Sequence, residues 1–61
     1  MSFSNVSLKD FLFLVNEKNY ILSKHEFSDL QRNKIVKYYI CYNDGYLLYL
    51  INNKNIRIYI K

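Results

Sequence analysis

Few residues in this chain are equipped to do chemistry. One histidine, His25, one cysteine, Cys41, and five carboxylates are spread over 61 residues. A structural zinc site takes four ligands and a catalytic one three, usually drawn from several Cys and His side chains at short spacing, so one of each cannot build it. Nucleophilic catalysis asks for a base beside the nucleophile. His25 falls near the start of an expected helix and reads as a surface residue, while Cys41 falls inside an expected strand with no cation adjacent in sequence to activate it. The single glycine, Gly45, excludes a phosphate-cradling loop. Asp10, Glu17, Glu26 and Asp29 read as caps and solvated helix surface, and none forms an acid–base pair. The chain is therefore expected to be non-enzymatic, with no cofactor and no metal.

Recognition is the remaining class of function, and composition supports it. The chain is 51% hydrophobic and 18% aromatic, with seven Tyr and four Phe, which excludes a disordered segment. The lone cysteine cannot make an internal disulfide, and a domain of this size buries only about 60% of the surface its unfolded chain exposes, so self-association is the expected remedy. No apolar run approaches the roughly 20 residues needed to cross a bilayer. Without a leader-like stretch, and with a single thiol, a cytoplasmic protein is expected. Asn, Ile, Lys, Tyr and Phe make up 33 of the 61 residues, while Ala, Thr, Pro and Trp are absent. Those favoured types share AT-rich codons, so the excess of lysine owes something to nucleotide bias, and a phage or similar mobile element is the expected source. The net charge of +4 is uneven: residues 1–31 hold three lysines against four carboxylates, residues 32–61 six cations against one.

The elements that must position any binding residues can be read from periodicity. Ser7 with Asp10, and Ser23 with Glu26, are capping-box spacings, each with a hydrophobic pair straddling the start, Val6 with Phe11 and Leu22 with Phe27. They predict helices over 8–18 and 24–32. Leu8, Phe11, Leu12 and Val15 share one helical face, which leaves Phe13 pointing away. Asn33 serves as a left-handed stop, and the residues between the helices form a turn or short extended piece. Beyond residue 34 the period becomes two. Strands are expected over 35–43, 46–52 and 56–61, joined by an Asp44-Gly45 type I′ turn and a second turn at Asn52–Asn55. The expected fold is a single small α+β domain over 1–61, with two N-terminal helices packed on one face of a three-stranded antiparallel β-meander.

Register then assigns faces. With Ile51 opposite Ile56, the helices would cover Tyr38, Ile40, Tyr42, Leu47, Tyr49 and the three isoleucines of the last strand. The other face would expose Tyr39, Leu48, Leu50, Arg57 and Tyr59, a sticky patch taken as the partner-binding site, unless Phe3 or the segment 2–5 folds across it. The leading expectation is a homodimeric protein-binding module, an inhibitor or regulator that occupies a surface on another macromolecule. The alternative is a small nucleic-acid-binding regulator that uses Lys34, Lys37, Lys54, Arg57 and Lys61 on phosphates, with the sheet tyrosines on bases or the second helix and hairpin as a winged reader. The last strand, taken as a sheet edge, offers a second route to dimerisation.

Overall fold

In a computed structural model, which describes residues 3–61, each helix begins where a serine closes its open end. Ser7 accepts the Asp10 N–H at 3.2 Å ahead of α1 (Leu8–Glu17). Ser23 accepts the Glu26 N–H at 3.1 Å ahead of α2 (Lys24–Leu30), and the Glu26 carboxylate accepts the Ser23 N–H at 2.9 Å, which satisfies two otherwise orphaned amides. Helical periodicity buries Phe11 and Val15 on α1 and Phe27 and Leu30 on α2, and turns Phe13 to solvent.

Partial burial pushes the Glu26 carboxyl up, but the Ser23 N–H and the Lys18 ammonium at 2.9 Å outweigh it, and its pKa lies below the ordinary value. A carboxyl lowered in this way stabilises the fold above the ordinary carboxylate range, and the increment disappears as pH falls through the folded-state value. Urea denaturation of Glu26→Gln is therefore expected to show a deficit against the parent at pH 7 that shrinks by pH 3. A deficit that is constant with pH would contradict the charged cap.

After α1, Asn19 and Tyr20 take left-handed φ angles of 54° and 63°, which turn the chain back on itself. Ile21–Leu22, the short strand β1, then lies parallel to the end of the chain, with Tyr59 N–H donating to Tyr20 O at 2.8 Å and Lys61 N–H to Leu22 O at 3.1 Å. Three longer strands follow, β2 (Val36–Cys41), β3 (Gly45–Leu50) and β4 (Asn55–Ile60), and the sheet order is β1-β4-β3-β2. The protein is α+β, with two helices and a four-stranded mixed sheet in place of the expected three-stranded meander. Because β1 pairs with β4, the last strand is interior, and the expected dimerisation through its edge falls away. Ile58, on that strand, is fully buried in the core.

The first hairpin closes one residue earlier than expected with a loop of the same length, and the second closes more tightly. Tyr42 N–H donates to Gly45 O at 2.8 Å, so Asn43 and Asp44 form the first turn. Neither has positive φ, and Gly45 has none either, so the Asp44-Gly45 I′ turn is not formed. Glycine is needed at 45 for another reason: a Cβ there would lie 2.0 Å from Ile58 O and 2.8 Å from Tyr59 Cα on β4. In the second hairpin Leu50 N–H donates to Lys54 O at 2.8 Å, with Asn53 at φ 66°, the left-handed residue that ends a three-residue connection. Leu47 is therefore opposite Arg57 and Leu48 opposite Ile56. That is three positions from the expected pairing, and an odd shift turns β2 and β3 over relative to β4.

The helical side of the sheet consequently carries Leu48, Leu50 and Ile58, all fully buried with Phe3, Phe11, Val15, Leu22 and Leu30. An aliphatic pair, Leu48 and Leu50, fills this space without the hydroxyl that Tyr49 would have brought and left to satisfy. Phe3 reaches this core and meets Phe11 edge to face at 5.8 Å. Of the segment 2–5, residue 2 lies outside the described residues.

Asn33 clasps the incoming chain, its Nδ2 donating to Phe3 O at 2.9 Å and to Val6 O at 2.8 Å while its Oδ1 accepts Ile35 N–H at 3.1 Å. It is not at positive φ, so it acts through its side chain and not as the left-handed stop. Asn33→Ala is expected to cost about 2 to 3 kcal/mol, since three partly buried partners lose their bond. A loss below about 0.5 kcal/mol in urea titration would show the clasp to be idle.

Candidate functional site

The side of the sheet away from the helices has no layer over it. Alternation places Tyr38 and Ile40 of β2 and Tyr42 just beyond it there, together with Leu47 and Tyr49 of β3, Arg57 and Tyr59 of β4 and Ile21 of β1. Tyr38, Ile40, Tyr42, Tyr59 and Ile21 each keep at least two-fifths of their surface in solvent. Four tyrosines on one face are more than a solvated sheet surface needs, and this is the principal exposed aromatic surface of the described residues.

The side chains on this face are organised among themselves. Tyr38 and Tyr49, directly opposite across β2 and β3, stack at 4.5 Å with planes 16° apart. Arg57, near the centre, lays its guanidinium 4.3 Å above the Tyr42 ring and 5.4 Å from that of Tyr59. Its Nη2 donates to Asp44 Oδ1 at 2.5 Å, reaching the first turn from β4. The positive charge is thus matched by a carboxylate of the same chain, and the face presents rings and aliphatics with little net charge.

The residues expected to bind a partner are divided between the two sides. Arg57 and Tyr59 lie on the open face. Leu48 and Leu50 do not: they are core, because the tight second hairpin turned β3 over. Tyr39 is also on the helical side, half-exposed at the sheet edge, edge-on to Phe27 at 5.3 Å and to Tyr46 at 5.2 Å, with its hydroxyl accepting Gln31 Nε2 at 3.0 Å. Tyr38, Ile40, Tyr42, Leu47 and Tyr49, assigned from sequence to the core, form most of the open face instead. No signal within β3 could have found them, since each of its faces carries leucine and one tyrosine, Tyr46 with Leu48 and Leu50 on one side and Tyr49 with Leu47 on the other.

The cations proposed for phosphate contact are divided between the two ends and the open face of the sheet. Lys34, Lys37 and Lys54 gather around one end of the sheet, where Lys37 Nζ donates to Asn53 Oδ1 at 3.3 Å and Ile51 N–H to Ile35 O at 2.9 Å. Lys61 follows β4 at the other end, and Arg57 is held by Asp44. His25 is exposed on α2, its Nε2 3.6 Å from Asp29 Oδ2, and Cys41 is exposed on β2. Among the described residues no three His, Cys, Asp or Glu side chains cluster as metal ligands, and no helix is long and apolar enough to cross a membrane. No protein-family model, curated protein or solved structure matches this chain.

Proposed function

We propose that this chain is a non-enzymatic protein-binding module that works through the open face of its sheet, and that two copies cover one another there. The observation that carries this reading is the uncovered set Tyr38, Ile40, Tyr42, Leu47, Tyr49 and Tyr59 around an arginine already neutralised by Asp44. Tyr and Arg are the residue types that most often dominate binding energy. Three strands of six residues and one of two span roughly 14 to 19 Å by 20 Å, so two such faces in contact bury well under the ~1,200 Å² of a standard specific interface, and the pairing is weak and reversible. A dimer that forms reversibly and yields to another protein surface suits an inhibitor or regulator, and the AT-rich codon usage implied by the composition suits a phage or mobile-element source.

Nucleic-acid binding at this face is the weaker reading. Tyr38 is stacked on Tyr49, Tyr42 lies under Arg57, and the guanidinium is engaged, so rings and charge are spent within the chain.

Sedimentation equilibrium tests the proposal. The parent is expected to dimerise over the micromolar to millimolar range, and the double variant Ile40→Glu, Tyr59→Glu to stay monomeric with an unchanged circular dichroism spectrum. A parent that is monomeric at millimolar concentration, yet binds mixed-sequence DNA or RNA with a steep salt dependence, would overturn it in favour of the nucleic-acid reading.

A further inference from the structure

We propose that the free edge of β2, with the channel between it and α2, accepts an extended acidic peptide from a partner protein as an added strand. This site is on the helical side of the sheet and does not depend on the open face.

β2 is the outermost strand, paired on one side only. Because Tyr42 N–H bonds to Gly45 O at 2.8 Å, antiparallel alternation directs the peptide groups of Tyr38 and Ile40 toward β3 and those of Tyr39 and Cys41 away from it. An edge is usually protected by proline, charge or shortness. Here six residues run without proline, and Lys37, at the irregularity between Val36 and Tyr38, is the one charged residue.

Two hollows open between this edge and α2, the first of them bordered by Tyr39. One, of about 180 Å³, is walled mainly by the apolar side chains Phe27, Leu30, Val36 and Leu48, with Gln31 and Lys37 also lining it. The other, wider and about 730 Å³, is bordered by Lys24, Ser28, Cys41, Asp44 and Lys61. Asp44 is bound to Arg57, so the two ammonium groups set the charge of the second hollow and favour an acidic visitor.

Strand geometry fixes the spacing of what would fit. Alternate residues of an added strand face the helical side, about 6.7 Å apart. The residue beside Tyr39 is flanked by those beside position 37 and Cys41, and these two, four positions apart, meet the hollows. The partner segment is therefore extended, with an aliphatic side chain and an Asp or Glu four residues from it. Main-chain bonds to the edge supply affinity and the two hollows supply selectivity.

The probe for testing this is a fluorescein-labelled heptapeptide, Ser-Leu-Thr-Val-Thr-Glu-Ser, followed by anisotropy against the whole chain at a concentration where it is monomeric. Micromolar binding is expected, weakened tenfold or more when Leu becomes Ser or Glu becomes Lys. N-methylating the amides of the odd or of the even positions should weaken binding tenfold in one set only, because a single edge of the peptide pairs with β2. The chain variant Lys24→Glu, Lys61→Glu should lose the acidic probe and gain the Glu-to-Lys one. Amide exchange at Tyr39 and Cys41 should slow at least tenfold on saturation. No binding at 1 mM, equal binding of both N-methylated sets, or protection of Tyr39 and Cys41 that grows with protein concentration alone, as it would if a second copy occupied the edge, would each overturn the proposal.

Discussion

Gly45→Ala is expected to lower stability by about 3 kcal/mol or more, the upper range for overpacking, because the added methyl meets backbone and not a movable side chain. Its Cβ would stand 2.0 Å from Ile58 O and 2.8 Å from Tyr59 Cα, and Gly45 lies opposite Tyr59 in the register. Leu50 N–H bonds to Lys54 O, and alternation from that bond makes Gly45 and Tyr59 a non-hydrogen-bonded pair, the kind whose Cα atoms approach most closely. β4 cannot retreat, since its far side is held by β1. For a domain this small the loss corresponds to a fall in Tm of about 12 °C or more. Asparagine separates this from a turn role. Asn accepts left-handed backbone, so it would be tolerated at an Asp-Gly turn, whereas against β4 Gly45→Asn is expected to be no better than alanine. A rescue by asparagine would contradict the close approach.

Leu48→Ala is expected to cost about 3 to 5 kcal/mol, as for other buried leucines whose sites collapse poorly. Its neighbour in sequence, Leu47, lies on the open face, and Leu47→Ala should cost less than about 1 kcal/mol when measured on dilute monomer. A domain of 61 residues has a total stability of about 3 to 9 kcal/mol. Leu48→Ala therefore leaves little folded protein, and the pair Leu48→Arg, Leu50→Glu should not fold at all. Chemical denaturation of the two alanine variants side by side is the check. Equal losses, or a larger loss at Leu47, would place the wrong face against the helices.

Local signals in the sequence were strong where the interactions are local. Ser7, Ser23 and Glu26 cap as their spacing implies, and the helices end within two residues of their expected limits. Non-local choices were less legible. The first hairpin closes at Tyr42 and Gly45, two positions from the Asp-Gly reading, and an even shift leaves the side chains from Tyr38 to Cys41 in their expected relation to β3. The second closes at Leu50 and Lys54, three positions away, and an odd shift exchanges the faces. One asparagine in the left-handed region, among the three near that turn, decides between these outcomes, and periodicity cannot say which. β1 was invisible for a related reason: two residues carry no alternation, and their pairing with β4 depends on Asn19 and Tyr20 both accepting a conformation that tyrosine seldom adopts. Arg57 and Tyr59 were legible as outward residues because β4 keeps its isoleucines inward in either register. Leu48 and Leu50 were not, because β3 is apolar on both sides and its orientation is set by a partner strand.

The pairing of β3 with β4 decides which tyrosines face a partner, so the most direct measurement is a nuclear Overhauser spectrum of the α-protons across that hairpin. Close contacts between the α-protons of Leu47 and Arg57, and of Tyr49 and Asn55, are expected from the non-hydrogen-bonded pairs of this register. Contacts of Leu50 with Arg57 and of Leu48 with Tyr59, the non-hydrogen-bonded pairs of a hairpin closed at Ile51 and Ile56, would instead turn Leu48 and Leu50 outward, and would remove the open tyrosine face on which the proposed function rests.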